Sequence, residues 1–237
     1  MISPVRRVST AEAVANHLLD RIQAGDFGPG DTFPSERELQ GQLGVGRLSV
    51  REGLARLSAL GIIQVDHGKG ARVRDGVDVS ALGQVFLPLF PNRQAKAFQD
   101  LLRARSVLDS ELAAQAALNR TEEDLRCLAG LLDHPGEALH NDRALAELDF
   151  AFHREVARIG DNAYLAVVHE ALADPIREYL LCYVRVHPSR QEVIDRHRPI
   201  LDTIAAQDPE AARKAAVDHL ETCKTSIDCF LLGSCGE

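Results

Sequence analysis

Residues 34–63 read PSERELQGQLGVGRLSVREGLARLSALGII, and this stretch decides how the first part of the chain folds. Ser35, with Glu38 three residues on, forms a capping box that opens a short helix ending near Gly44. Val45 and Gly46 turn the chain, and a second helix runs from about Leu48 to Leu60, where Gly61 stops it. Ile62 to Val65 then has the composition of a strand. Upstream, Ser9 and Glu12 form another capping box, and Ala13, Val14, Leu18 and Ile22 keep helical spacing to about Gly25. Gly28-Pro29-Gly30-Asp31 forces a turn before Pro34. Downstream, Asp66 to Gly70 folds the strand back onto Ala71-Arg72-Val73. Three helices and a hairpin within about 65 residues make a winged helix-turn-helix.

The charge distribution agrees with a small DNA footprint. The whole chain carries a formal net charge of −8. Residues 1–76 hold ten Lys/Arg against nine Asp/Glu, leaving the rest strongly acidic, and residues 35–74 alone hold seven against four. Basic charge is therefore local, and an acidic second half limits stray binding. At 237 residues with 45% hydrophobic and 5% aromatic content and no Trp, the chain can build a large core of Leu, Ala, Val and Ile, which favours packed helices. The five cysteines show no CxxC pair, and neither an apolar signal core nor a membrane-length apolar run occurs. A cytoplasmic protein with cysteines serving as small hydrophobes or solvent thiols is the expectation.

Asp75 to Asp78 reads as a linker, giving an expected division into a DNA-binding domain over 1–75 and an all-helical domain over 76–237. Seven helices are expected in the second part, near 78–89, 96–118, 121–132, 141–160, 162–186, 189–206 and 208–231. Thr121, Ser189 and Asp208 mark three of the starts. Pro175 should kink or split the fifth of these helices.

The second helix of a helix-turn-helix presents its N-terminal residues to base edges. Here Arg47 and Arg51 lie four apart on one face, Ser49 is short enough to reach a phosphate, and Arg37 opens the preceding helix. At the wing tip, His67 and Gly68 let the backbone approach the minor groove and Lys69 adds charge. With PSERELQGQLGV, SVREGLARLSALGII and HGKGARV in place, residues 10–74 resemble the winged helix of the GntR family of bacterial transcription regulators. The resemblance implies double-stranded operator DNA as partner, with contacts through Arg37, Arg47, Ser49, Arg51, His67 and Gly68. Gly46 stands where the family usually has Ser or Thr, and Leu48 where a small or polar residue is common.

In the second part, four metal-capable residues fall on core-facing positions. His197 is centred among Val193, Ile194, Ile200, Leu201 and Ile204. Asp149 and His153 follow one edge of the stripe formed by Leu145, Leu148, Phe152, Val156 and Ile159. His219 flanks the apolar face of the last helix. Imidazole nitrogens and a carboxylate oxygen suit zinc first, with nickel, manganese or iron as alternatives. Arg105 is also centred on an apolar face, so its guanidinium needs an anion: either Asp109 at i+4 or a small carboxylate ligand.

Residues 98–231 resemble the FCD-type ligand-binding domain of the FadR branch of the same family. The matching residues are Arg105-Ser-Val-Leu-Asp109, Asp149-Phe-Ala-Phe-His153, Gly160-Asp-Asn162, His197-Arg-Pro-Ile200 and Ala215 to His219. The resemblance implies a divalent metal on Asp149, His153, His197 and His219 and an organic acid held near Arg105 and Asn162; a homodimer is expected from the DNA side, since two recognition helices about 34 Å apart read a palindrome. Asp109 replaces the family's usual Glu. The chain thus reads as an operator-binding regulator, a repressor by the family's habit, whose affinity a small carboxylate adjusts through the metal. A purely structural metal, or a metal that is itself the signal, is the alternative. A metal-dependent enzyme would need a general base or nucleophile beside these ligands, and none is evident.

Overall fold

The computed structural model describes residues 8–66, 70–76, 95–187 and 189–231. The chain divides into two compact units, Met1–Ala81 and Leu82–Glu237. It is mainly helical, with a winged helix-turn-helix at the N-terminus and an all-helical C-terminal unit.

The first unit holds helices α1 (Thr10–Gln23), α2 (Glu36–Leu43) and α3 (Arg47–Ala59), followed by strands β1 (Ile63–Asp66) and β2 (Gly70–Val73). Ser35 and Glu38 complete both halves of the α2 capping box, and Gly44 closes that helix in the left-handed conformation. At α1, Ser9 accepts from the Glu12 amide, while the Glu12 carboxylate lies 3.9 Å from Arg56 instead of returning to the cap. The two strands pair antiparallel, Ile63 opposite Val73. A feature not expected from the sequence is a third, short line of pairing: Thr32 bridges Arg72, and Phe33 and Val73 exchange amide bonds with Ala71 and Asp31 at 2.8 Å. Buried Val14, Leu18, Phe33, Leu39, Val50, Leu54, Leu57 and Ile63 form the core.

Helix α3 crosses α1 at Gly53, where an added Cβ would sit 2.6 Å from Val14 Cγ1 and 3.1 Å from the Ala11 carbonyl oxygen. Gly53→Ala should therefore destabilise this unit by about 1–3 kcal/mol through overpacking, overriding the gain of about 1 kcal/mol in helix propensity. Urea unfolding of the variant checks this, and an unchanged or raised midpoint would contradict the packing argument.

The second unit contains α4 (Ala95–Asn119), α5 (Glu122–Asp133), a 3-10 turn (Gly136–His140), α6 (Asp142–Ile159), α7 (Ala163–Ala171), α8 (Ala173–Val186), α9 (Arg190–Asp195), α10 (Arg198–Ala205) and α11 (Pro209–Leu231). The helix expected near 78–89 lies outside the described residues. Thr121 with Asp124, Asn141, Ser189 and Asp208 cap their helices through side-chain oxygens. One contiguous apolar core runs through the unit, built on residues such as Phe98, Leu128, Phe152, Ile176, Ile204 and Leu220. Helix α6 lies amid it, packed against α4, α5, α7 and α8, while α4 and α11 run against each other.

Two long helices of the sequence reading are each two helices. The segment 162–186 breaks at Leu172, whose amide bonds back to Val168 and His169. Pro175 lacks the N–H a continuous helix needs, so α8 restarts with that proline in its first turn. The segment 189–206 breaks at Arg196 and His197. Pro199 is the cause, because a proline cannot donate to the carbonyl four residues back and crowds it. This second break places the site.

Candidate metal centre and DNA-reading face

Three separate pieces of backbone deliver the metal-capable side chains. Asp149 and His153 come from α6, His197 from the junction between α9 and α10, and His219 from α11. All four are buried. One ligand atom from each of His153, His197 and His219 lies within 4.8 Å of the others. The ring centroids are 5.2 Å apart for His153 and His197, 5.1 Å for His153 and His219, and 4.5 Å for His197 and His219. Asp149 flanks this set, with Oδ2 at 3.3 Å from His197 Nε2 and Oδ1 at 3.8 Å from His153 Nε2.

The helix break fixes two of the rings. Pro199 interrupts the ladder here, and the Ile200 amide bonds to the His197 carbonyl, three residues back. His219 Nδ1 donates to the Arg196 carbonyl at 3.2 Å, and His197 Nδ1 donates to the Ile194 carbonyl at 3.1 Å. A carbonyl can only accept, so each Nδ1 carries the hydrogen and each Nε2 keeps its lone pair for a metal. Phe152 packs edge-on against His197 at 4.8 Å between centroids and holds the ring in place.

The electrostatics favour neutral His153 and His219 beside a charged Asp149. Burial, with Arg105 and the other histidines adding to it, pushes His153 well below its ordinary value. Burial and His197 push His219 down to about 3, against the pull of Asp149. Burial opposes ionisation of Asp149, yet His197, His219 and Arg105 outweigh it and hold the carboxyl below its usual range. His153 Nε2, His197 Nε2 and Asp149 Oδ1 are buried with no hydrogen-bond partner. Such atoms cost free energy unless something coordinates them, so this donor set fits a divalent metal. A groove of about 440 Å³ between α10 and α11, lined in part by Pro199, Thr203 and Lys214, reaches His219 and offers a route inward.

A depressed histidine pKa has a stability consequence for the metal-free protein. Below about 6.5 the unfolded chain binds a proton that folded His219 refuses until about 3. Stability is therefore complete at neutral pH and falls as pH drops through that window, by up to about 1.4 kcal/mol per pH unit for each such histidine. Urea unfolding of chelated protein at pH 7.5 and 5.0 measures this, and equal midpoints would contradict it.

Beside the metal set lies a second polar cluster. Arg105 Nε donates to Asp109 Oδ2 at 3.1 Å, which realises the i+4 pairing read from the sequence. Nη2 lies 3.0 Å from the same oxygen but makes no hydrogen bond. Asp109 also faces His153 Nδ1 at 3.6 Å and His169 Nε2 at 4.0 Å. His169, on α7, stacks on Phe150 at 5.5 Å. Asp109 Oδ1, both His169 nitrogens and the Tyr179 hydroxyl are buried without partners. The sequence reading missed His169, although Leu165, Leu172 and Ile176 at −4, +3 and +7 centre it on an apolar stripe. The Asn162 carboxamide oxygen accepts from the Leu165 amide and caps α7.

In the first unit, Arg37, Arg47 and Arg51 are exposed and Ser49 is half-buried on the opening turns of α2 and α3. Glu36 sits between two of them, 3.2 Å from Arg47 and 3.8 Å from Arg51. Gly46 caps α3 without a side-chain bond, leaving the first amides of that helix uncapped by any side chain. His67, Gly68 and Lys69 lie outside the described residues.

Comparison with known proteins bears on both units. Residues 10–73 match the model of the gntR family of bacterial regulatory proteins, and residues 100–222 match the FCD domain. The HTH-type transcriptional repressor NanR of Escherichia coli is 32% identical over 235 residues, spanning 96% of this chain and 88% of that protein. NanR of Klebsiella aerogenes is 34% identical over 232 residues, spanning 92% and 85%. Among solved structures, a Streptococcus agalactiae GntR protein shares the fold with a TM-score of 0.71 at 24% identity, over 91% of this chain and 99% of that one. These likenesses run the length of both units and concern regulators of transcription rather than enzymes, so the chain belongs to the GntR family of bacterial regulatory proteins, as a DNA-binding transcriptional regulator with an FCD domain.

Proposed function

We propose that this chain is a homodimeric repressor acting on operator DNA in the cytoplasm, with residues 1–75 reading DNA and 76–237 sensing a small organic acid at a divalent metal. The observation that carries the sensing half is the pair of adjoining buried clusters with unpartnered atoms. His153, His197, His219 and Asp149 hold the metal, with zinc the best match to this nitrogen-rich set and nickel, manganese or iron as alternatives. When bound, the metal supplies positive charge and open positions for an oxygen ligand. Arg105 Nη2 then supplies the second anchor for a carboxylate, and His169 and Tyr179 can hydrogen-bond its other oxygens. Asp109 holds Arg105 in orientation through Nε.

On the DNA side, Arg47 and Arg51 serve guanine edges or phosphates once Glu36 releases them, and Ser49 and Arg37 anchor the backbone. The amides that Gly46 leaves uncapped suit a phosphate at the α3 N-terminus. Leu48, 68% exposed, offers an apolar contact to a thymine methyl. His67, Gly68 and Lys69 form the wing contact. Two recognition helices about 34 Å apart require two copies. Exposed Val107 and Leu118 on α4 and Tyr164 and Val168 on α7 supply apolar surface for pairing.

A metal that only stabilises the fold is the second reading, favoured by the way the ligands tie α6, the α9–α10 junction and α11 together. His197→Ala separates the two. A sensory centre predicts a folded protein that binds operator but ignores acid, measured by circular dichroism and fluorescence anisotropy. A structural centre predicts loss of the folded signal itself.

A further inference from the structure

We propose that Cys223 supplies a thiolate ligand to the metal held by His153, His197 and His219. The proposal rests on the metal reading above and adds a sulfur to it. Cys223 follows His219 by one turn of α11 and is buried. Its Sγ lies 3.9 Å from His219 Nε2, the nitrogen whose lone pair the Arg196 carbonyl bond leaves free. With bonds of about 2.3 Å to sulfur and about 2.0 Å to nitrogen, neighbouring ligands on an ion of four or more ligands lie about 3–3.5 Å apart. The observed separation is therefore close to that of two ligands on one ion.

Independent observations mark the place as a ligand site. His153 Nε2 and His197 Nε2 are fully buried without partners. Asp149 flanks the histidine set against His197 and His153, and Cys223 flanks it against His219, so carboxylate and sulfur approach through different histidines. On binding, the Cys223 S–H bond breaks, a sulfur–metal bond forms, and the proton leaves to buffer with no change of oxidation state. A thiolate shifts preference toward zinc and cobalt and away from manganese or magnesium.

Cobalt(II) tests this directly. One equivalent added to the metal-free full chain should give visible d–d bands from the nitrogen ligands and a strong near-ultraviolet sulfur-to-cobalt band. Cys223→Ala and Cys223→Ser should lose the second while keeping the first. Zinc titration calorimetry at pH 7.5 in two buffers should show about one more proton released by the native chain than by Cys223→Ala. That calorimetric difference, with the native cobalt spectrum, suffices should one variant fold poorly. Visible bands without the near-ultraviolet band in the native chain overturn the sulfur ligand and leave the histidine site standing. A near-ultraviolet band that survives in the folded variants overturns it too. No bands at all overturn the metal reading together with this one.

Discussion

Arg105→Ala lowers the unfolding free energy by about 3–5 kcal/mol, the cost of breaking a buried ion pair from one side. Arg105 is 1% exposed and Asp109 4%, so deleting the guanidinium strands a carboxylate among neutral imidazoles. Burial and Arg105 itself keep His169 below its ordinary value, against the pull of Asp109. No other described cation reaches Asp109 within ion-pair distance except these histidines. The double variant Arg105→Met with Asp109→Leu removes both charges and should recover most of the loss, since apolar replacement of a whole buried pair is often neutral or stabilising. Urea unfolding of native, single and double variants gives the answer. A single variant within about 1 kcal/mol of the native chain would mean that the pair is solvated and the cluster around it is not closed. Neither variant should respond to an acid, because both lack the second anchor.

Metal removal is the other large effect. A ligand that binds only the folded chain stabilises it by about 4 kcal/mol at a thousandfold excess over its dissociation constant. For a domain of this size that corresponds to a rise of roughly 8–16 °C in melting temperature. The expectation follows from the geometry: one ring nitrogen from each of three imidazoles converges, and two buried Nε2 atoms lack a hydrogen-bond partner that an ion would supply. Differential scanning calorimetry of chelated protein, before and after zinc is restored, measures the shift. His219→Ala should remove most of it. Identical melting curves with and without zinc would show that the imidazoles are ordinary core residues.

Much of this was legible in the chain, because the relevant signals are local. Ser35 with Glu38, Thr121 with Asp124, and Ser189 place helix starts through a hydrogen bond that spans only three residues. The inward positions of His197 and Arg105 followed from helical angle alone, and both are essentially fully buried. What escaped depended on distant partners or on a signal left unread. The Thr32 bridge needs β2, forty residues away in sequence, and no local pattern announces it. Pro199 was in view, yet its break at His197 was not expected, and the Arg196 carbonyl that orients His219 lies at that break. His169 was missed although it satisfies the same stripe test as His197.

Coupling between the acid, the metal and the operator is the centre of the account, and one titration tests it. A palindromic duplex selected from random sequence is labelled, and its affinity for zinc-loaded protein is measured by anisotropy at fixed salt, with and without each of a panel of small organic acids. The account predicts that at least one acid weakens binding by about 5- to 150-fold, the usual span of allosteric coupling, and that the response vanishes when zinc is stripped. Equal operator affinity in every combination of metal and acid would contradict it.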